Sequence, residues 1–170
     1  MSSSQYEREI KGILDGDKKI ISKITKTCNV IEKNNYMKIF EKPFVVVRAA
    51  GSFGVDLVAL RGDISFLLEV KTSIEKTLHF SSIKGKLQKQ AENMQKICEK
   101  TKTLPIYAFR IKNHRGDCWR LFTLEVKTIE GRIKLLQKRI PLIEKTNNDN
   151  YIMRWENGLK LSDFIFYLCR

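Results

Sequence analysis

Between Pro43 and Lys71 the chain writes three short, β-branched apolar segments separated by tight turns, a pattern that commits it to a sheet. Phe44-Val45-Val46-Val47-Arg48 predicts a first strand, Val55 to Leu60 a second and Ile64 to Lys71 a third. The small residues Ala49-Ala50-Gly51-Ser52-Phe53-Gly54 join the first two and let backbone approach closely, and Arg61-Gly62-Asp63 joins the next pair. The mixed apolar character of these strands predicts a sheet covered on both faces. Pro105 to Lys112 and Cys118 to Leu124 read as two further strands around a turn at Asn113 to Asp117.

Helical periodicity frames these strands. Tyr6, Ile10, Ile13 and Leu14 share one face of a helix over Ser4 to Leu14, with Ser4 and Glu7 in the form of a capping box and Gly16 closing it. Ile20, Ile21, Ile24, Cys28 and Ile31 continue in helical register to about Asn34-Asn35. Lys84 to Thr101 reads as an amphipathic helix with Leu87, Ala91, Met94, Ile97 and Cys98 as its apolar stripe. Residues 127–150 give no clear period, and Thr146 to Asn150 reads as a loop. Leu159 to Leu168 is apolar enough for a packed or interface helix. The order predicts one α/β domain over residues 1–170, a central mixed β-sheet flanked by helices.

Charge narrows the function classes. The 170 residues carry 32 Lys+Arg against 19 Asp+Glu, a net charge of +13, which predicts a polyanionic partner. There is no apolar run long enough for a membrane span, nor a basic amphipathic helix with bulky aromatics, so nucleic acid is the favoured partner over a membrane. The opening residues Met1 to Glu7 lack an apolar signal core, which predicts a cytoplasmic protein. Cys28, Cys98, Cys118 and Cys169 form no CxxC motif and are expected reduced. His79 and His114 stand apart and read as structural or surface residues. Phe66, Phe109, Trp119 and Phe122 read as core.

Chemistry concentrates between Gly51 and Ser73. Asp56 opens one strand and Glu69 lies near the end of the next, so a hairpin at Asp63 returns the two carboxylates to the same end of the sheet. Strand alternation points Glu69 and Lys71 to one face and Leu68 and Val70 to the other. Buried charges of this kind must pair or hold a metal. Two readings follow: a strand-end salt bridge between Glu69 and Lys71 with Asp56 capping a turn, or a Mg²⁺ site of hard oxygen donors with Lys71 beside it.

The run Arg48-Ala49-Ala50-Gly51-Ser52-Phe53-Gly54-Val55-Asp56-Leu57-Val58-Ala59, followed by Leu68-Glu69-Val70-Lys71, resembles the archaeal-type Holliday junction resolvases of the PD-(D/E)xK nuclease superfamily. Tyr6-Glu7-Arg8-Glu9-Ile10 resembles that family's first-helix motif, and Leu104 to Phe109 and Trp119 to Phe122 stand where it has later strands. The resemblance implies a restriction-endonuclease-like nuclease core. It implies catalytic roles for Glu7, Asp56, Glu69 and Lys71, with metal held by Asp56, Glu69, Glu7 and the main-chain carbonyl of Val70. Helical geometry does not choose between Glu7 and Glu9; the motif favours Glu7. By the same resemblance Arg8 and Arg48 lie near the scissile phosphate and Ser52 in the active-site loop, where Phe53 replaces basic residues and is placed to meet an exposed base. Lys11, Lys84 and Lys86 would bind phosphates by charge.

The resemblance therefore implies a Mg²⁺-dependent endodeoxyribonuclease, with Mn²⁺ as a substitute ion, cutting four-way DNA junctions by paired incision as a homodimer. Phe164-Ile165-Phe166-Tyr167-Leu168 is the candidate dimer patch. Alternatives are a nuclease of the same fold acting on flaps, nicks or a restriction-type duplex target, and a non-catalytic DNA-binding module. The stretch from about 15 to 43 departs from the family pattern as an extra helical insertion.

Overall fold

The computed structural model describes residues 3–49, 54–81 and 85–170. In chain order these form α1 (Ser3–Asp15), α2 (Lys18–Ile24), α3 (Val30–Met37), β1 (Val45–Arg48), β2 (Leu57–Arg61), β3 (Ile64–Ser73), β4 (Thr77–His79), α4 (Lys86–Thr101), β5 (Leu104–Ile111), β6 (Trp119–Thr123), α5 (Gly131–Gln137), β7 (Glu144–Lys145), β8 (Tyr151–Arg154), β9 (Leu159–Lys160) and α6 (Leu161–Leu168). Six strands make one mixed sheet in the order β1-β2-β3-β5-β6-β9. The β3–β5 pair is parallel and the other neighbours antiparallel. A parallel pair needs a long crossover, and α4 lies within it. The α/β fold with a central mixed sheet flanked by helices is thus present. The short strands β4, β8 and β7 form a separate small sheet, which two- to four-residue segments leave too little pattern to predict.

α1 buries Tyr6, Ile10, Ile13 and Leu14 as its periodicity requires, and Gly16 at φ +79° ends it. The helix begins at Ser3, and Glu7 one turn on accepts from Arg48. The expected second helix is two. Thr25 Oγ1 donates back to the Ile21 carbonyl at 2.7 Å as α2 ends. Asn29 then starts α3: its side chain accepts the Glu32 amide at 2.9 Å, and the Glu32 carboxylate accepts the Asn29 amide at 3.2 Å. This reciprocal cap resets the helical phase, so Ile31 is exposed rather than buried.

The core runs through the middle of the main sheet. Phe44, Phe66 and Phe164 stack edge to face at centroid distances of 5.2 and 5.8 Å, and Phe109, Trp119 and Phe122 are buried as expected. Coverage on both faces fails at one margin: Val45 and Val47 on β1 and Leu60 on β2 are exposed. The C-terminal expectation is also corrected. Phe164, Ile165 and Leu168 are buried within this chain and cannot meet a partner, which leaves only the half-buried Phe166 and Tyr167 of the candidate dimer patch at the surface. All four cysteines are free thiols. Among the described residues no helix is long and apolar enough to cross a membrane.

Candidate active site

Asp56 is placed by backbone on both sides. Its amide donates to the Leu68 carbonyl at 3.2 Å and its carbonyl accepts the Ala49 amide at 2.9 Å, so it sits between β1 and β3 just ahead of β2. The hairpin at the far end is fixed by Arg61, whose Nε donates to Asp63 Oδ1 at 2.5 Å. The register that follows pairs Leu57 with Leu68, which brings Asp56 beside the Glu69–Lys71 segment. Asp56 Oδ2 accepts the Val70 amide at 2.7 Å. Leu68 and Val70 are buried on the opposite face, as strand alternation demands.

Glu69 is the deepest charged group of the site, 2% exposed. Its Oε1 accepts from Lys71 Nζ at 2.6 Å and from Gln90 Nε2 on α4 at 2.8 Å. Among the described residues its Oε2 is buried with no hydrogen-bond partner, and the buried hydroxyl of Tyr107, the residue paired with Glu69 across β3–β5, has none either. Burial pushes the Glu69 carboxyl above the usual range, opposed by Lys71 and reinforced by the Asp56 charge. Burial also raises the Asp56 carboxyl, against the Val70 amide and Lys71, and the Glu7 charge raises it further. Two carboxyls that burial makes reluctant to ionise, close enough to perturb one another, form an electrostatic site short of positive charge.

The geometry separates Glu7 from Glu9. Glu9 Oε1 accepts from Arg110 Nε at 2.7 Å and from Trp119 Nε1 at 2.9 Å, which ties it to β5 and β6. Glu7 Oε2 accepts from Arg48 Nη2 at 2.6 Å, at the end of β1 beside Asp56. Among the described residues no three His, Cys, Asp or Glu side chains close into a metal-holding group; Asp56 and Glu69 are the pair that meets. An unpartnered carboxylate oxygen, a second carboxylate and a nearby main-chain carbonyl at Val70 are an all-oxygen donor set that suits a hard divalent cation.

Of the expected DNA contacts, Arg8 and Lys86 are exposed, and Arg48 is exposed but paired with Glu7. Lys11 is half-buried and paired with Asp15 one turn along α1. Ser52, Phe53 and Lys84 lie outside the described residues. Sequence reasoning missed Gln90 and Tyr107. Gln90 left a signal: it falls within the buried stripe of Leu87, Ala91 and Met94, where a polar side chain must find a partner. Tyr107 left none, because a tyrosine in an apolar strand reads as core.

No protein-family model and no curated protein matches the chain. Among solved structures it is similar to Hjc of Archaeoglobus fulgidus, a Holliday junction resolvase from an archaeal hyperthermophile. The identity is 19%, the match covers 85% of this chain and 96% of that chain, and the TM-score is 0.50. The arrangement of sheet and helices around Asp56, Glu69 and Lys71 is therefore the fold of a known resolvase, carried by a distant sequence.

Proposed function

We propose that the protein is a metal-dependent, structure-selective endodeoxyribonuclease that cleaves four-way DNA junctions. The observation that carries this reading is the buried Glu69 carboxylate, held on one oxygen by Lys71 and Gln90 and left unpartnered on the other beside Asp56. A closed salt bridge would satisfy both oxygens. Asp56, Glu69 and the Val70 carbonyl would hold Mg²⁺, or Mn²⁺ in its place, with Glu7 assisting from α1. A bound ion of this kind supplies charge neutralisation on the phosphate and a more acidic water.

The remaining work falls to this chain's own side chains. Lys71 presents its ammonium on the same face as Glu69, where it orients the attacking water or offsets charge developing on the phosphoryl oxygens. Gln90 fixes the Glu69 carboxylate and reaches Lys71 Nζ at 3.4 Å, so the two charged groups keep one relative position. Arg48, at the end of β1 and paired with Glu7, is a second cation that would seat the scissile phosphate.

The net charge of +13 supports DNA as the partner, and the similarity in fold to a Holliday junction resolvase supports branched DNA within that class. On this reading residues 1–170 are one cytoplasmic nuclease domain with a helical insertion at about 15–43. It works as a homodimer, because two phosphates related by the junction's two-fold need two sites. Incubation with Mg²⁺ and labelled four-way junction, flap, nicked and linear DNA tests the reading. Paired incision of the junction supports it; equal cutting of linear duplex replaces it with a duplex-directed nuclease.

A further inference from the structure

The corner between α2 and α3 lies at the same end of the sheet as the acidic pair. Gly116, in the turn between β5 and β6, donates its amide to Thr27 Oγ1 at 2.9 Å, which docks the corner on that turn. The turn follows the C-terminal end of β5, and β5 runs parallel to β3 with Tyr107 beside Glu69 and Ile111 beside Ser73. Counting along β5 from Tyr107 to Lys112 puts the turn roughly 17 Å from Glu69. That is about five base-pair steps along a duplex.

Two large β-branched side chains stand out from this corner: Val30 is 74% exposed and Ile31 72%. Neither contributes to the core, and the cap at Asn29 and Glu32 orders the backbone beneath them. Lys26, Lys33 and Arg115 are exposed around them, and among the described residues none of the three forms an ion pair. An apolar tip with three exposed cations on the same corner and its docked turn is poorly suited to another protein, since lysine is depleted at protein interface cores. It suits a nucleic acid, whose phosphates meet the cations while an apolar wedge enters between bases.

We propose that Val30 and Ile31 form a wedge that enters the branch point of DNA bound at the active site, with Lys26, Lys33 and Arg115 seating the adjoining backbone. This rests on the nuclease reading above and adds to it the source of substrate choice. Inserting an apolar side chain requires bases to unstack, which is least costly where pairing or stacking is already interrupted. The wedge therefore favours branched over linear DNA, whereas the cations favour neither.

The test uses the full chain in EDTA, so that binding is read without cleavage. The probes are a four-way junction with 2-aminopurine at the branch and a linear duplex of equal length. The doubly substituted Val30→Ser, Ile31→Ser protein is expected to lose about tenfold in junction affinity, keep duplex affinity within about twofold, and lose the 2-aminopurine fluorescence rise. Val30→Leu with Ile31→Leu is expected to restore that rise. Replacing Lys26, Lys33 and Arg115 by Gln is expected to weaken both DNAs and reduce the salt slope by up to about 3. An unchanged junction-to-duplex ratio in the serine protein, or a changed sedimentation coefficient marking a protein interface, overturns the wedge. A wild-type chain that shows no preference for the junction overturns the junction-selective reading above, and with it the wedge.

Discussion

Lys71 Nζ lies 2.6 Å from Glu69 Oε1, while the other oxygen of the same carboxylate has no partner among the described residues. The pair is therefore half of an interaction set, and stability and activity should respond to it in opposite directions. Glu69→Gln keeps an acceptor for Lys71 and removes a buried charge that burial already disfavours. The variant is expected to unfold at a higher temperature than wild type in the absence of metal, because the fold already favours the uncharged form of this side chain. Its junction cleavage should fall at least about a hundredfold. Calorimetry and single-turnover cleavage read the two effects separately.

Gln90 touches Glu69 and Lys71 from α4 and is placed to position them. Gln90→Leu is expected to lower the single-turnover cleavage rate about tenfold while leaving junction affinity within about twofold. Gln90→Glu, which sets a third carboxylate against Glu69, should cost more than the leucine and be relieved by raising the Mg²⁺ concentration. A fall in DNA affinity equal to the fall in rate would place Gln90 in DNA binding instead.

Asp117 ties α3 and α6 to the sheet. Its Oδ1 accepts from the Tyr36 hydroxyl at 2.8 Å and the Trp119 amide at 3.2 Å, and its Oδ2 accepts the Ser162 amide at the start of α6 at 2.8 Å. Asp117→Ala leaves three buried donors unsatisfied and is expected to destabilise the fold by about 3 kcal/mol or more in urea unfolding. Tyr36→Phe removes one of those bonds and should cost about 1 kcal/mol.

The sheet and its acidic pair were legible because strand alternation and a tight hairpin determine where Asp56, Glu69 and Lys71 point. The division of residues 18–37 into two helices was not. The apolar positions Ile20 to Ile31 keep a helical period across Thr25–Asn29, and the break comes from two polar side chains, Thr25 and Asn29, that satisfy backbone groups locally. The C-terminal segment shows the converse limit. Its apolar character was plain, but only the tertiary packing of Phe164 against Phe66 tells core from interface.

His114 gives the fold a pH dependence of known sign. Partial desolvation beside the Trp155 ring, at a centroid distance of 4.7 Å, and then the Arg120 charge hold the imidazole of this exposed residue below the ordinary 6.5. The folded state thus binds its proton less readily than the unfolded chain. Its contribution is fully present above about pH 6.5 and is lost as pH falls through the lowered folded value. His114→Gln should flatten the stability profile between those limits, read as urea midpoints from pH 7.5 to 5.

The most direct measurement is cleavage of a fixed four-way junction in Mg²⁺ beside a matched linear duplex, by wild type and by Asp56→Asn. The account predicts paired, symmetric incision of the junction by wild type, little cutting of the duplex, and junction binding without incision by the variant. Undiminished incision by Asp56→Asn, or no metal-stimulated incision of any DNA by wild type, would contradict it.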